Sequence, residues 1–544
     1  MEVNNLTVSI GSQKLIENIS FSLYTNNKIG LVGSNGSGKS TLLKTLSQII
    51  KPINGNINYN GQSFGYLMQE INCDYIDMNI LDYIKMETGI LNLENQLRIL
   101  ENTLNDKNMD EYSEILNQYL TLDGYNFDDN LKIILQGLNF KQNINNTINI
   151  LSGGEKIKIM LAVLLMSDND ILLLDEPTNN LDQEAVMWLE KFLINSNKPM
   201  IIISHDETFL DNVTNCIYEI KDKKLNIYKM KYNKYLQEKE QEYNNKYNEY
   251  VKAIEEKNNL KKQLQKAKEW SQKGNNKKTH NDNDKIANNF AKERTNNSNV
   301  SKISKSIEKV DVPNFEEKKQ INFSFNFENK KGNKSILLDK LICGYEKFHT
   351  PMVNTIIPFG EKVLITGSNG TGKTTLIKTI MNDVEPIEGK VVLGNECMIG
   401  YISQDTLFEN NDYTVFDYLT CDLKEYDKSY IFILLDKFNI SYEDKNKKYN
   451  SLSPGERTRV NLVKIALNKT NILILDEVTN HLDKEALNLI YELLDKFAGT
   501  IISISHNRKF NNILKPNIIL NIESGYINYC NNIESPEYNI EKRK

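Results

Sequence analysis

Two short apolar runs stand out because each passes through glycines and re-emerges with a different periodicity. Ile29-Gly30-Leu31-Val32 and Val363-Leu364-Ile365-Thr366 read as strands, and the segments Leu42-Leu43-Lys44-Thr45-Leu46 and Leu376-Ile377-Lys378-Thr379-Ile380 that follow them read as helices. Two more runs, Ile171–Leu174 and Ile472–Leu475, are apolar throughout and end in Asp-Glu, as expected of strands buried on both faces. Between these halves the pattern is helical. Tyr243, Tyr247, Tyr250 and Ile254 recur at 4-3-4 spacing, and Leu260, Leu264 and Ala267 continue at 4-3 after a shift. A polar, Gly/Asn-rich stretch, 271–284, is expected to break that helix. A second helix is predicted from Ile286 and Phe290 and from Val300, Ile303, Ile307 and Val310 at 3-4-3, with Pro313 ending it. The pattern predicts an antiparallel helical hairpin between two α/β halves. A first helix of about 40 residues would reach roughly 60 Å at ~1.5 Å per residue.

Length and composition fit this plan. A chain of 544 residues suits two domains and a connector. No stretch approaches the ~20 apolar residues of a membrane helix, and Met1-Glu2-Val3-Asn4-Asn5 has neither a basic nor an apolar leader region. The six cysteines are scattered, with no Cys-x-x-Cys pair, which argues against a zinc site or a disulfide framework and for a reducing cytoplasm. The net charge of −6 hides an asymmetry: 229–320 holds 22 Lys/Arg against 14 Asp/Glu, leaving 44 against 58 elsewhere. A basic middle between acidic ends points to a polyanionic partner or to a solvated Lys-rich connector.

The halves share a series of motifs in one order. Gly33-Ser34-Asn35-Gly36-Ser37-Gly38-Lys39-Ser40-Thr41 and Gly367-Ser368-Asn369-Gly370-Thr371-Gly372-Lys373-Thr374-Thr375 are P-loops in the strand-to-helix context that the motif requires. Their glycines let backbone N–H groups crowd round phosphates, Lys39 and Lys373 reach the β- and γ-phosphates, and Ser40 and Thr374 are candidate Mg²⁺ ligands. Next come Gln69 and Gln404, each after a strand, candidates to complete a metal or water shell. Leu151-Ser152-Gly153-Gly154-Glu155 and Leu452-Ser453-Pro454-Gly455-Glu456 follow. Asp175 and Asp476 would hold Mg²⁺ directly or through water, and Glu176 and Glu477 would polarise the attacking water as general bases. Asn179-Asn180-Leu181-Asp182 and Asn480-His481-Leu482-Asp483 come next, then His205 and His506, placed to contact the γ-phosphate.

These motifs, in this order and twice, resemble the ATP-binding-cassette superfamily over about 1–225 and 321–526. The resemblance implies an α/β fold: two P-loop cassette domains joined by a long α-helical hairpin linker, and a head-to-tail sandwich closing on two ATPs. Site one would pair Lys39, Gln69, Asp175, Glu176 and His205 with Ser453, Gly455 and Glu456; site two would pair Lys373, Gln404, Asp476, Glu477 and His506 with Ser152, Gly153 and Gly154. The P-loop residues Gly33, Asn35, Gly36, Gly38 and Thr41, and Gly367, Asn369, Gly370, Gly372 and Thr375, complete the ATP-binding set. Two departures are visible. Pro454 stands where glycine is usual, removing an N–H, and implies a weaker hydrolytic site one. Tyr345 falls at the adenine-stacking position of the second cassette, whereas the first has Ile10 nearby, implying looser base selectivity there.

The linker, about 226–320 with its tip at 271–284, looks like that of the ABC-F family, soluble tandem cassettes that act on the 70S ribosome. A short tail, 527–544, follows the second cassette. The resemblance implies docking near the tRNA exit site, with the linker reaching toward the P-site tRNA and the peptidyl-transferase centre as an intramolecular, monomeric device. Lys261, Lys262, Lys266, Lys268, Lys273, Lys277, Lys278, Lys285, Lys292 and Arg294 would neutralise 23S rRNA and tRNA phosphates, and Trp270 would stack on a base or pack within the hairpin. The Gln-to-signature gap is 34 residues longer in the first cassette; the excess, around 85–118, resembles a stalk-contacting arm or an enlarged helical subdomain. The resemblance implies protection of the ribosome from antibiotics at the peptidyl-transferase centre. A housekeeping factor relieving stalls, or the ATPase subunit of a drug exporter, are the alternatives. Excision-type repair proteins carry Cys-x-x-Cys modules that this chain does not have.

Overall fold

The computed structural model describes residues 1–529 except 12, 35, 68–74, 104–107, 276–300, 314, 316–334, 346–347, 396, 404–411, 424–425, 439, 441–443, 469, 480–481, 483 and 524–525; at 270–275, 454, 484–485 and 526–529 only the backbone is described. Gln69, Gln404, Asn35, Lys277, Lys278, Lys285, Lys292 and Arg294 fall outside the described residues, as does most of the 271–284 tip. The chain divides into two compact units, Met1–Tyr232 with Ile321–Lys544, and Asn233–Gln320.

In the first cassette the elements run β1 (Glu2–Ile10), β2 (Gln13–Ser22), β3 (Lys28–Gly33), α1 (Lys39–Leu46), β4 (Asn54–Asn58), β5 (Phe64–Tyr66), α2 (Ile80–Glu87), α3 (Ile90–Asn102), α4 (Met109–Thr121), α5 (Phe127–Gly137), α6 (Gly153–Met166), β6 (Ile171–Asp175), α7 (Gln183–Asn195), β7 (Met200–Ile203), α8 (Glu207–Val213), β8 (Cys216–Lys221) and β9 (Lys224–Tyr228). The linker supplies α9 (Tyr232–Asn275) and a helical segment at 301–309 (α10). The second cassette supplies β10 (Ile336–Ile342), β11 (Gly344–Tyr345), β12 (Phe348–His349), β13 (Val353–Ile357), β14 (Lys362–Thr366), α11 (Lys373–Ile380), β15 (Glu388–Leu393), β16 (Ile399–Ser403), α12 (Val415–Thr420), α13 (Lys428–Lys437), α14 (Pro454–Leu467), β17 (Ile472–Asp476), α15 (Lys484–Lys496), β18 (Thr500–Ile504), α16 (Arg508–Leu514), β19 (Ile518–Asn521) and β20 (Tyr526–Tyr529).

Each cassette has a six-stranded sheet, in the orders β5-β6-β7-β3-β8-β9 and β16-β17-β18-β14-β19-β20, and a three-stranded one, β2-β1-β4 and β13-β10-β15. The large sheets are parallel except for the last hairpin of each, β8–β9 and β19–β20; the small sheets are antiparallel. The unbroken apolar runs follow from this, since β6 and β17 are buried at every position. One core joins Leu6 and Ile16 of the small sheet to Leu42, Leu43 and Leu46 of α1 and to Ile29, Leu173 and Ile201 of the large sheet. Clamped between two sheets, α1 holds its N-terminus at the C-terminal end of β3, where open parallel sheets carry ligands. The second cassette repeats this with Leu338, Leu376, Ile377, Ile380 and Ile474.

The stretch around 85–118 contains α3 and most of α4. Ile90, Leu93 and Leu97 are buried on α3, while Ile99, Met109 and Leu120 are exposed. Among the described residues, no helix is long and apolar enough to cross a membrane.

The linker helix corrects one expectation. It runs 44 residues, to Asn275, so the backbone of Ser271–Asn275 is helical although that polar stretch was expected to break it. A helix this long propagates at the cost of one glycine, about 1 kcal/mol for Gly274. It is about 66 Å long. The tyrosine stripe has a specific partner: Tyr243, Tyr247 and Tyr250 pack round Phe315, with ring centroids 5.1, 5.5 and 5.3 Å away. The chain beyond Pro313 therefore returns to the first half of α9. Phe315→Ala removes three aromatic contacts at about 0.5–1.5 kcal/mol each. Amides of 243–254 are expected to exchange roughly 30-fold faster in hydrogen–deuterium exchange, and an unchanged rate would show that the tyrosines are held by other groups.

Candidate nucleotide-binding site

Each phosphate loop is built from glycines that no other residue replaces easily. Gly372 has φ +92°, and a Cβ there would lie 2.7 Å from Thr350 Cγ2 and 2.9 Å from Phe348 Cε1. Gly38, at φ +97°, would place one 3.0 Å from Leu15 Cβ. These glycines are the N-caps of α11 and α1, and neither helix has a side-chain cap, so its first N–H groups are open to an anion. Lys39 Nζ donates to the carbonyls of Gly33 and Ser34 at 2.9 and 3.1 Å; Lys373 Nζ donates to Gly367 and Ser368 at 2.7 and 3.0 Å. Burial pulls both ammonium groups below the usual lysine range, and nearby carboxylates, Glu176 and Asp175 or Glu477, Asp182 and Asp476, pull them back.

The strand-end carboxylates sit beside these lysines. Asp175 and Asp476 are buried, which raises both above the usual aspartate range, against hydrogen bonds from the hydroxyls of Ser40 and Thr374 respectively. Among the described residues Asp175 Oδ2 has no hydrogen-bond partner despite its burial. A hydroxyl, a carboxylate and an unsatisfied hard oxygen fit a Mg²⁺ site that takes its other ligands from phosphates and water. Tyr401 adds something sequence reading missed: its hydroxyl donates to Asp476 Oδ2 at 3.3 Å.

The next residue turns sharply. Glu176 and Glu477 adopt φ of +52° and +49°, left-handed backbone that glutamate rarely takes. Each turn is fixed by its own N–H, which donates to Ile203 and Ile504 respectively, both at 2.9 Å. Glu176 then meets its histidine: the His205 N–H donates to Oε2 at 3.2 Å, and Nε2 lies 3.4 Å from Oε1. His506 Nε2 is 4.0 Å from Glu477 Oε1. Burial, with Lys373 nearby, pushes His506 down to about 4.

Both signature segments begin helices. Ser152 and Ser453 cap α6 and α14 reciprocally with Glu155 and Glu456. Ser453 N–H and Oγ donate to Glu456 Oε2 at 2.8 and 2.7 Å, so that carboxylate is turned toward the cap. Pro454 occupies the first helical turn, where its missing N–H costs the helix nothing. Tyr345 is more than half exposed on the β11–β12 hairpin, whose Phe348 abuts Gly372; Ile10 is exposed at the end of β1.

The second phosphate loop meets the first cassette. Asn369 Nδ2 donates to Asn180 O at 2.7 Å, and Lys141 Nζ donates to Ser368 Oγ at 2.9 Å. One cavity is lined by Glu176 and His205 with Asn180 from the first cassette, and by Asn369, Glu477 and His506 from the second. Behind it, Lys158 on α6 lies 3.7 Å from Asp182, and Asn139 Nδ2 donates to the same carboxylate at 3.0 Å. Asn180 lies within a repeated motif; Lys141 had no signal in the sequence, because only the fold brings it to the loop. In the linker, Lys261, Lys262, Lys266 and Lys268 are exposed along α9, while Trp270 and Lys273 have only their backbone described, as part of that helix.

Comparison with known proteins finds one family in both cassettes. The ABC transporter family profile matches 16–179 and 352–480. The probable ATP-binding protein YbiT of Escherichia coli O157:H7 is 30% identical over 98% of this chain and 98% of its own. The ATP-binding protein Uup of Haemophilus influenzae is 28% identical over 94% of this chain and 77% of its own. Among solved structures, the complex of archaeal ribosomal stalk protein aP1 with the ribosome recycling factor aABCE1 matches with a TM-score of 0.57 at 17% identity, covering 96% of this chain and 89% of that one.

A histidine pushed down to about 4 binds no proton at neutral pH. Its unfolded form, near 6.5, binds one first, so stability is lost as pH falls from about 6.5 toward about 4. The ring carbon resonance of His506 is expected to keep its neutral shift down to pH 5; an imidazolium shift at pH 6 would overturn the assigned environment.

Proposed function

The chain belongs to the ABC transporter family as a tandem ATP-binding protein of the ABC-F type, and from that premise we propose a ribosome-protecting ATPase. In this reading it binds the 70S ribosome near the tRNA exit site, and its linker reaches the P-site tRNA and peptidyl-transferase centre to relieve inhibition by antibiotics bound there. The observation that carries it is α9: a 44-residue helix between two cassettes, with Lys261, Lys262, Lys266 and Lys268 exposed toward its far end. Transport cassettes have no need of such a helix, whereas rRNA phosphates are met by lysines presented at a distance.

The chemistry follows from the site. ATP phosphates rest on the first N–H groups of α1 and α11, with Lys39 and Lys373 countering the charge. Ser40 with Asp175, and Thr374 with Asp476, would hold Mg²⁺, which would supply neutralisation of charge on the phosphate oxygens. Glu176 and Glu477 accept a proton from water as its oxygen bonds to the γ-phosphorus and the bond to the β-phosphate oxygen breaks. His205 and His506 orient the γ-phosphate. In site two, Ser152, Gly153 and Gly154 close from the opposite cassette; Ser453 and Gly455 do so in site one. ATP holds the cassettes together and hydrolysis releases them.

Glu176→Gln with Glu477→Gln keeps ATP binding and is expected to lower turnover by at least about 100-fold. That variant should co-sediment with 70S ribosomes in ATP but not in ADP. ATP-bound protein that stays off ribosomes would turn the search to a membrane partner. Replacing Gly274–Asp284 with a short Gly-Ser loop should leave ATPase activity intact and abolish relief of drug-inhibited translation in vitro. Relief that persists would sink the reach-to-the-centre reading, and drug-independent rescue of stalled ribosomes would favour a housekeeping role.

A further inference from the structure

The helices that follow His205 and His506 meet each other across the two cassettes. Arg508, at the start of α16, places Nη1 at 3.1 and 3.2 Å from the two carboxylate oxygens of Glu190 on α7. Beside it Lys509 Nζ donates to Glu207 at 2.6 Å, and Glu207 is the first residue of α8. These contacts join the second cassette to the first.

The internal repeat shows what is unusual here. Counted from His205 and His506, Glu207 corresponds to Arg508; counted from the first residues of α7 and α15, Glu190 corresponds to Tyr491. One half of this pseudo-symmetric contact is thus an Arg–Glu pair. In the other half, the equivalent positions hold Glu207 and Tyr491, which cannot form one. Glu207 is taken up by two other groups, Lys509 and the hydroxyl of Tyr232. Tyr491 completes the cluster, with Lys509 Nζ 5.3 Å from its ring centroid.

Tyr232 is the first residue of the linker helix and only 6% exposed. A buried tyrosine hydroxyl needs partners, and the Glu207 carboxylate is among those of Tyr232. The same carboxylate is held by the second cassette and lies two residues after His205.

We infer that Glu207 couples the cassettes to the linker: a displacement of α8 or α16 when nucleotide binds is passed through this shared carboxylate to Tyr232, the root of α9. Glu207 and Tyr232 are positioning residues and touch no substrate. The inference rests on nucleotide-driven closure and is independent of ribosome binding.

Hydrogen–deuterium exchange on the full chain, in the Glu176→Gln/Glu477→Gln background, with and without Mg·ATP, tests it. ATP is expected to slow exchange at 232–240 by about fivefold or more, and at the signature helices α6 and α14. Tyr232→Phe keeps the ring and removes the hydroxyl; Lys509→Met keeps the stem and removes the charge. Each should cut the response at 232–240 to less than about twofold, while ATP affinity and the α6 and α14 responses persist. A full response at 232–240 in Tyr232→Phe overturns the inference, as does a parent in which α6 and α14 respond and 232–240 does not. If none of these segments responds, closure itself has failed and the coupling with it.

Discussion

A lysine ammonium buried at the end of a parallel sheet is stable only where negative charge lies close by. Lys39 and Lys373 are 9% and 6% exposed, and an unpaired cation at such depth costs several kcal/mol. Two loop carbonyls meet each ammonium directly, and the Asp-Glu pair at the end of β6 or β17 supplies the charge. The strand-end carboxylates proposed to serve hydrolysis thus also make the buried lysine tolerable. Strand order enforces this: β3 and β6 both flank β7, and β14 and β17 both flank β18, so lysine and carboxylates leave one edge of the sheet together. Exchanging strands would strand the cation.

The two sites built on this rule differ. At site two, Asp182 of the first cassette adds to the negative charge around Lys373, and a tyrosine hydroxyl steadies Asp476. His506 is buried deeply enough to stay neutral, fitting a hydrogen-bond partner rather than a cation for phosphate. At site one the histidine lies closer to its glutamate, 3.4 Å against 4.0 Å. Pro454 removes an N–H from the first turn of α14 at no cost to that helix, so the helix itself does not explain or resist its presence.

What the sequence disclosed was local. Phosphate loops, strand-end carboxylates and signature caps are short segments whose geometry follows from their own residues, and two copies in one order make the assignment specific. The left-handed turn at Glu176 and Glu477 was not legible, because nothing in Asp-Glu announces a positive φ; the neighbouring strand imposes it through the Ile203 and Ile504 carbonyls. Long-range partners were equally hidden. Asn180 meets Asn369 across 189 positions and Lys509 meets Glu207 across 302, separations at which no periodicity carries information. The linker shows both limits. Its helical stripe was readable, but its partner Phe315 lies beyond Pro313, and its end lies past residues whose polarity suggested a turn.

The contacts between the cassettes form a gradient of strength, and that gradient sets which give way first. At the phosphate loop, Lys141 and Glu523 are 64% and 42% exposed and 3.7 Å apart, a pair worth at most about 1 kcal/mol. Asn369 adds one neutral hydrogen bond of similar size. At the helices beyond the histidines, by contrast, Glu190 is 8% exposed and both its oxygens face Arg508; parting that pair would leave a buried carboxylate without its partner, at about 3–5 kcal/mol. By these strengths the contacts at the phosphate loop part at less cost than the pair that joins α7 to α16. Glu207, which accepts from Lys509 at 2.6 Å beside that pair, belongs to the stronger end of the gradient.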